Sequence, residues 1–244
     1  MRIWRRARVE RTGTMPLVDH LIELRRRILI CFGAVIVGAT VVFIFYNPVL
    51  RFLSKPYLDV THQKLIVTDP LAPFIVRLKI SAYGGLALSV PIIMWEIWRF
   101  IVPGLHKRER RYGLWFILSA VVLFLLGCAV AWFTISKALD FLLSVGGTSL
   151  HPLIDANKYL TLVMLMFAAF GIAFEFPLLL VFLMLVGALN TRQLRSARRW
   201  AAVGIATFAA VITPSADPFS MLFMAIPMYI FYEAAILVGR VMKR

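Results

Sequence analysis

Six stretches of this chain stay apolar far longer than a soluble domain needs, and short charged segments separate them. A bilayer span takes about 20 mostly apolar residues. The runs cover 28–46, 74–101, 112–136, 159–189, 200–212 and 219–238. A water-soluble fold could not hide them. Of the 244 residues, 61% are hydrophobic and only 16% charged. Soluble domains are about 45–50% apolar and about 25% charged. The same numbers exclude a disordered chain. The reading is an all-α integral membrane protein with six spans. The run 200–212 is below the usual span length, so it requires a thinned bilayer or shielding by neighbours.

The net charge is +15, with 27 Lys and Arg. In a soluble protein that would suggest nucleic acid. Here the distribution argues otherwise. Twenty of the 27 fall before the first run, at the end of run two or between it and run three, between runs four and five, or at the C-terminus. Seven fall in the alternate segments: Arg51, Lys55, Lys64, Arg77, Lys79, Lys137 and Lys158. This bias places both termini in the cytoplasm and supports an even number of spans. The positive charge then orients the chain and binds no nucleic acid. The run after Arg27 ends in Phe43-Ile44-Phe45-Tyr46, with no small-residue cleavage site, so it reads as a retained span.

Few groups could carry chemistry. Cys31 and Cys128 lie inside apolar runs and read as small hydrophobes. His20, His62, His106 and His151 are scattered, and there is no HExxH pair and no GxxxxGK[ST] loop. No cofactor or metal is implied. Residues 16–27 place Leu17, Leu21, Leu24 and Ile28 on one helical face, which predicts an interfacial amphipathic helix running into span one. Glu23 is spaced to pair with Arg27. It reads either as part of a salt-bridged helix or as a carboxylate offered to a cationic ligand. Glu109 is the acid in the basic loop 103–111. It either neutralises its neighbours or supplies a second carboxylate, since each carboxylate can take one guanidinium through two parallel hydrogen bonds.

Glu175 lies within Phe170-Gly171-Ile172-Ala173-Phe174-Glu175-Phe176-Pro177. An ionisable group there costs roughly 2.5–3.5 kcal/mol on insertion scales and should face other helices or a wet cavity. Pro177 cannot bond the Ala173 carbonyl, which predicts a kink. A protonated Glu175 satisfying that carbonyl is the structural alternative to a functional role. Asp217, before Pro218, reads as a turn residue or N-cap. Glu96 reads as a structural partner of Arg99, and Glu233 as the partner of a helix-end arginine. A proton-coupled solute transporter built on Glu175 lacks visible internal repetition. An intramembrane enzyme built on it lacks a second catalytic group at similar depth.

Four stretches together resemble the TatC family of twin-arginine protein translocases. They are His20-Leu21-Ile22-Glu23-Leu24-Arg25-Arg26-Arg27; Trp98-Arg99-Phe100-Ile101-Val102-Pro103-Gly104-Leu105 with Glu109-Arg110-Arg111; the segment around Glu175; and Ala225-Ile226-Pro227-Met228-Tyr229. The resemblance runs from residue 16 to 240. It implies a receptor for twin-arginine signal peptides, and a core subunit of a proton-motive-force-driven translocase exporting folded proteins. It implies six helices in a concave cup in a bacterial-type plasma membrane, with no enzyme activity. On that basis Glu23 and Glu109 would meet the arginine pair, supported by Leu24, Arg25, Phe100, Pro103 and Leu105. Glu175 would be the polar residue of the concave face. Pro56 would belong to the first external loop and Asp217 to the last external turn. Single-span subunits like TatA or TatB would meet spans five and six, and other TatC protomers and lipid would surround the rest. The chain departs from some relatives at Met221, where they carry glutamine, and at Trp132, where they carry tyrosine. The expected organisation is an arginine-rich extension 1–15, one membrane domain 16–240 and a basic tail 241–244.

Overall fold

The computed structural model describes residues 17–101, 113–145, 154–215 and 217–241. They form α1 (Leu17–Ile44), α2 (Tyr46–Thr61), α3 (Ala72–Ile101), α4 (Gly113–Val145), α5 (Ala156–Ala173), α6 (Phe176–Leu185), α7 (Thr191–Ser196), α8 (Arg198–Ile212) and α9 (Pro218–Val241). No strand occurs among the described residues; one isolated parallel bridge joins Ile66 to Asp155.

Five segments are long and apolar enough to cross a membrane: Leu21–Ile44, Ala72–Phe100, Gly113–Val145, Ala156–Leu185 and Pro218–Arg240. The remaining run, the fifth in chain order, becomes α8, with 15 residues. At about 1.5 Å per residue this covers about 22 Å, short of a hydrocarbon core of about 30 Å. The amphipathic segment and the first run form one continuous helix, α1, as the face pattern predicts.

Two expectations are corrected, and the kink predicted in the fourth run is found. The first inter-span segment is largely helical: Pro56 sits inside α2 and is buried, not in a loop. Val49, Leu50, Leu53 and Tyr57 belong to, or pack against, the main core. That apolar stripe holds a helix despite its proline. The third run extends nine residues beyond 136, and α4 ends at Val145. The fourth is broken: α5 stops at Ala173 and α6 begins at Phe176, with Pro177 in its first turn. The break lies where the missing proline N–H predicts it.

α1 and α3 cross in close contact. A Cβ on Gly38 would lie 2.8 Å from the Gly85 carbonyl oxygen, and one on Gly85 would run into the Ala39 backbone nitrogen. Small residues let backbones approach this closely where lipid supplies no hydrophobic drive between helices. The core lies among α4, α5, α6 and α9, where Phe170, Phe174, Met184, Met224, Met228 and Ile236 are fully buried. α1 contributes mainly Val42 to the core; Leu21, Ile22, Ile28, Leu29 and Phe32 face outward.

At the end where α1 finishes and α3 and α5 begin, polar contacts join the elements. The Ile66 amide donates to Ile154 and the Ala156 amide to Ile66. The Asp155 carboxylate caps α5 by accepting from the Asn157 and Lys158 amides, and it also accepts from the Thr68 hydroxyl at 2.6 Å. The Thr68 hydroxyl bond, with the amides of Lys158, Thr68 and Asn157, holds this carboxyl below its ordinary pKa. Lys79 Nζ donates to Asn157 Oδ1 and Thr161 Oγ1, both at 2.9 Å. Arg77 donates to the Phe43 carbonyl and lies 4.1 Å from the Phe43 ring centroid. The Tyr159 hydroxyl donates to the Leu53 carbonyl.

Candidate functional site

Glu23 and Glu96 come together at the opposite end, because α1 and α3 run antiparallel across their glycine contact. One guanidinium bridges them. Arg27 Nη1 donates to Glu96 Oε2 at 2.8 Å, and Nη2 donates to Glu23 Oε1. Arg99 Nη1 stands 3.7 Å from the other Glu96 oxygen. The side chains of Arg27 and Glu96 are 12% and 7% exposed, that of Glu23 25%. The buried pair is therefore Arg27–Glu96, with Glu23 the carboxylate turned outward. Its Oε2 carries no hydrogen bond among the described residues.

Leu24, Arg27, Ile28, Cys31, Glu96, Ile97 and Phe100 line a cleft of about 170 Å³ beside this bridge. An apolar wall thus adjoins an available carboxylate oxygen. Such a surface can accept a guanidinium and seat an apolar segment next to it. Of the residues singled out from the sequence, Glu23, Leu24 and Phe100 meet here. Arg25 is exposed on α1 and does not line the cleft. Glu109, Pro103 and Leu105 lie outside the described residues.

Glu96 is the residue the sequence reading undervalued. Its closest partner is Arg27, 69 positions away, and Arg99 is the more distant one. No local spacing reveals that pairing. The one available signal was an acid inside an apolar run whose i+3 partner lay near a helix end.

Glu175 lies in the break between α5 and α6, and both carboxylate oxygens are buried without a hydrogen-bond partner. Asp217 Oδ1 accepts from the Ser220 amide at 2.8 Å, which is the expected N-cap of α9. Its Oδ2 is buried. Glu233 pairs with Arg198. Cys31 and Cys128 are free thiols. Among the described residues, no group of His, Cys, Asp and Glu could hold a metal.

A larger cavity of about 450 Å³ lies at the other end, between α2, the 64–67 segment, α3 and α5. Tyr46, Leu50, Leu65, Val76 and Leu160 line it, and Lys64 is its charged group. Among the described residues it offers no carboxylate to a cation.

Comparison with known proteins agrees across sequence and structure. The profile of the family described as Sec-independent protein translocase protein (TatC) matches residues 19–227. The TatC protein of Frankia casuarinae is 40% identical over 249 residues, spanning 97% of this chain and 68% of that one. The TatC protein of Escherichia coli (strain K12) is 36% identical over 230 residues, spanning 93% of this chain and 89% of that one. A crystal structure described as the twin arginine translocase receptor TatC aligns with a TM-score of 0.78 at 34% identity, covering 92% of this chain and all of that one. The chain therefore belongs to the TatC family: it is a multi-pass integral membrane subunit of a twin-arginine protein translocase, working with other components of that machinery, and not an enzyme.

Proposed function

We propose that this chain is the receptor that binds twin-arginine signal peptides, and the core around which a proton-motive-force-driven translocase assembles. The supporting observation is the outward Glu23 carboxylate, one oxygen of which has no partner among the described residues beside the Leu24–Phe100 cleft. A guanidinium of the signal peptide bonds that oxygen while its apolar stretch follows the cleft wall. Glu109 supplies the second carboxylate for the second arginine, and Pro103 and Leu105 shape the same surface. Arg25 supports it from α1. The similar crystal structure is itself described as a translocase receptor, which supports the same reading.

In this reading residues 16–240 form a single membrane domain, flanked by the extension 1–15 and the tail 241–244. Both termini are cytoplasmic, and α8 is the fifth of six spans in a concave cup. Glu175 faces that cup, and Pro56 and Asp217 support the external side. TatA- or TatB-like single-span subunits meet α8 and α9, and other TatC protomers and lipid surround the rest.

The test is photocrosslinking from positions 23, 109 and 175 to a labelled twin-arginine precursor. Its control is the same precursor with both arginines changed to lysine. Crosslinks at 23 and 109 that require the arginines support the receptor. Membrane-inserted protein that gives no arginine-dependent crosslink, even with its partner subunits present, overturns it.

A further inference from the structure

Three arginines converge at the end of α9. Arg192 and Arg195 stand on α7, and Arg240 lies in the last turn of α9. With Thr191 they line a cleft of about 460 Å³. Among the described residues no carboxylate lines it, and none of the three arginines forms an ion pair.

Specific contacts hold the helices that frame the cleft. The Tyr232 hydroxyl donates to the Leu194 carbonyl at 2.6 Å, fixing α7 against α9. A Cβ on Gly239 would lie 2.6 Å from both Met184 Sδ and Thr191 Cγ2, so α9 fits closely against α6 and α7. A reciprocal Asn190–Gln193 cap fixes the start of α7. Arg198 is already committed to Glu233. The three arginines thus border one cleft with no counter-charge among the described residues, and like charges gathered in this way call for an anion.

Depth selects which anion. The apolar stretch of α5–α6 ends at Leu185 and that of α9 at Arg240, and the two ends meet across the Thr191–Gly239 contact. Arg240 closes the α9 stretch and Arg192 and Arg195 lie beyond the α5–α6 stretch, in the layer where lipid phosphates sit. Trp200, at the start of α8, is 79% exposed, as an aromatic anchor at that layer would be.

We propose that this cleft binds a phosphate-bearing anion, and that the anion is the headgroup of an acidic membrane lipid. Guanidinium forks match phosphate oxygens through paired hydrogen bonds. This site is separate from the Glu23 carboxylate and does not depend on the receptor reading.

The experiment compares the purified protein with an Arg192→Gln, Arg195→Gln, Arg240→Gln variant. Delipidated samples are titrated with phosphatidylglycerol, phosphatidylcholine or inorganic phosphate, and bound ligand is counted by native mass spectrometry. The wild type should retain phosphatidylglycerol and not phosphatidylcholine. Each arginine near the membrane surface is worth about fivefold, so the triple variant should bind on the order of 100-fold more weakly. Its unfolding temperature without lipid should match the wild type, which separates lost binding from lost fold. Equal retention of phosphatidylglycerol by both proteins overturns the site. Inorganic phosphate binding as tightly as the lipid overturns the lipid as its source.

Discussion

Arg27 serves two carboxylates with one guanidinium, giving one arm to each. That division leaves Glu23 with a spare oxygen. Arg27→Ala removes the partner of a carboxylate that is only 7% exposed. Breaking such a pair costs about 3 kcal/mol, because the surviving charge remains buried. Thermal unfolding in detergent should show the loss, and Arg27→Gln combined with Glu96→Gln should recover most of it. Under the receptor reading, Glu96→Gln has a different signature. It weakens the hold on one arm of the Arg27 fork, which then closes on Glu23 and competes with the incoming arginine. Fluorescence anisotropy should show several-fold weaker binding of a twin-arginine peptide. The double variant should bind more tightly than Glu96→Gln alone. Equal binding by the wild type and Glu96→Gln would show that Glu96 does not govern the site. The sequence made Glu23 visible because its partner lies one helical turn away. It left Glu96 obscure because its partner lies on another helix, and local spacing is blind to helix packing.

At the scale of elements, the α1–α3 crossing rests on the absence of side chains. Gly85→Ala drives a methyl group into the Ala39 backbone, which cannot rotate aside. Overpacking of this kind costs about 1–3 kcal/mol. Gly33→Ala on the same helix α1 meets nothing within 4 Å and should be neutral or slightly stabilising. Unfolding curves of the two variants would separate a packing requirement from a general intolerance of substitution. The Asp155 cap carries its own pH dependence. Its pKa in the fold is lowered, so its contribution is fully present above the ordinary carboxylate pKa of about 3.9. That contribution is lost as pH falls through the lower, folded value. Asp155→Ala should therefore raise hydrogen exchange at the Thr68, Asn157 and Lys158 amides at neutral pH. Long apolar runs and the Pro177 break were legible because each follows from local chain chemistry. Helix α2 was not. Its apolar stripe is short, a proline interrupts it, and tertiary packing of Leu53 and Tyr57 makes it stable.

For the whole molecule, the mismatch of α8 sets the expected behaviour in lipid. Its 15 residues reach about 22 Å, while its neighbours run far longer. Under the six-span reading the bilayer must thin beside α8 and α9. Longer acyl chains raise that cost. Deuterium uptake over 198–217 should then rise on moving from short-chain to long-chain phosphatidylcholine, with α1 and α3 unchanged. An identical profile in both lipids counts against a crossing by α8.

The contacts around Asp155 have a mechanical consequence. They stitch the start of α5 to the segment leading into α3, while Arg77 and Lys79 fasten that same end to α1 and α5. Among the described residues, the polar tie between α1 and α3 at the far end is one shared guanidinium. Helices α1, α3 and α5 are bound like the pages of a book, with the spine at the Asp155 edge. Pages so bound separate first at their loose margin, and that margin is where Glu23 sits.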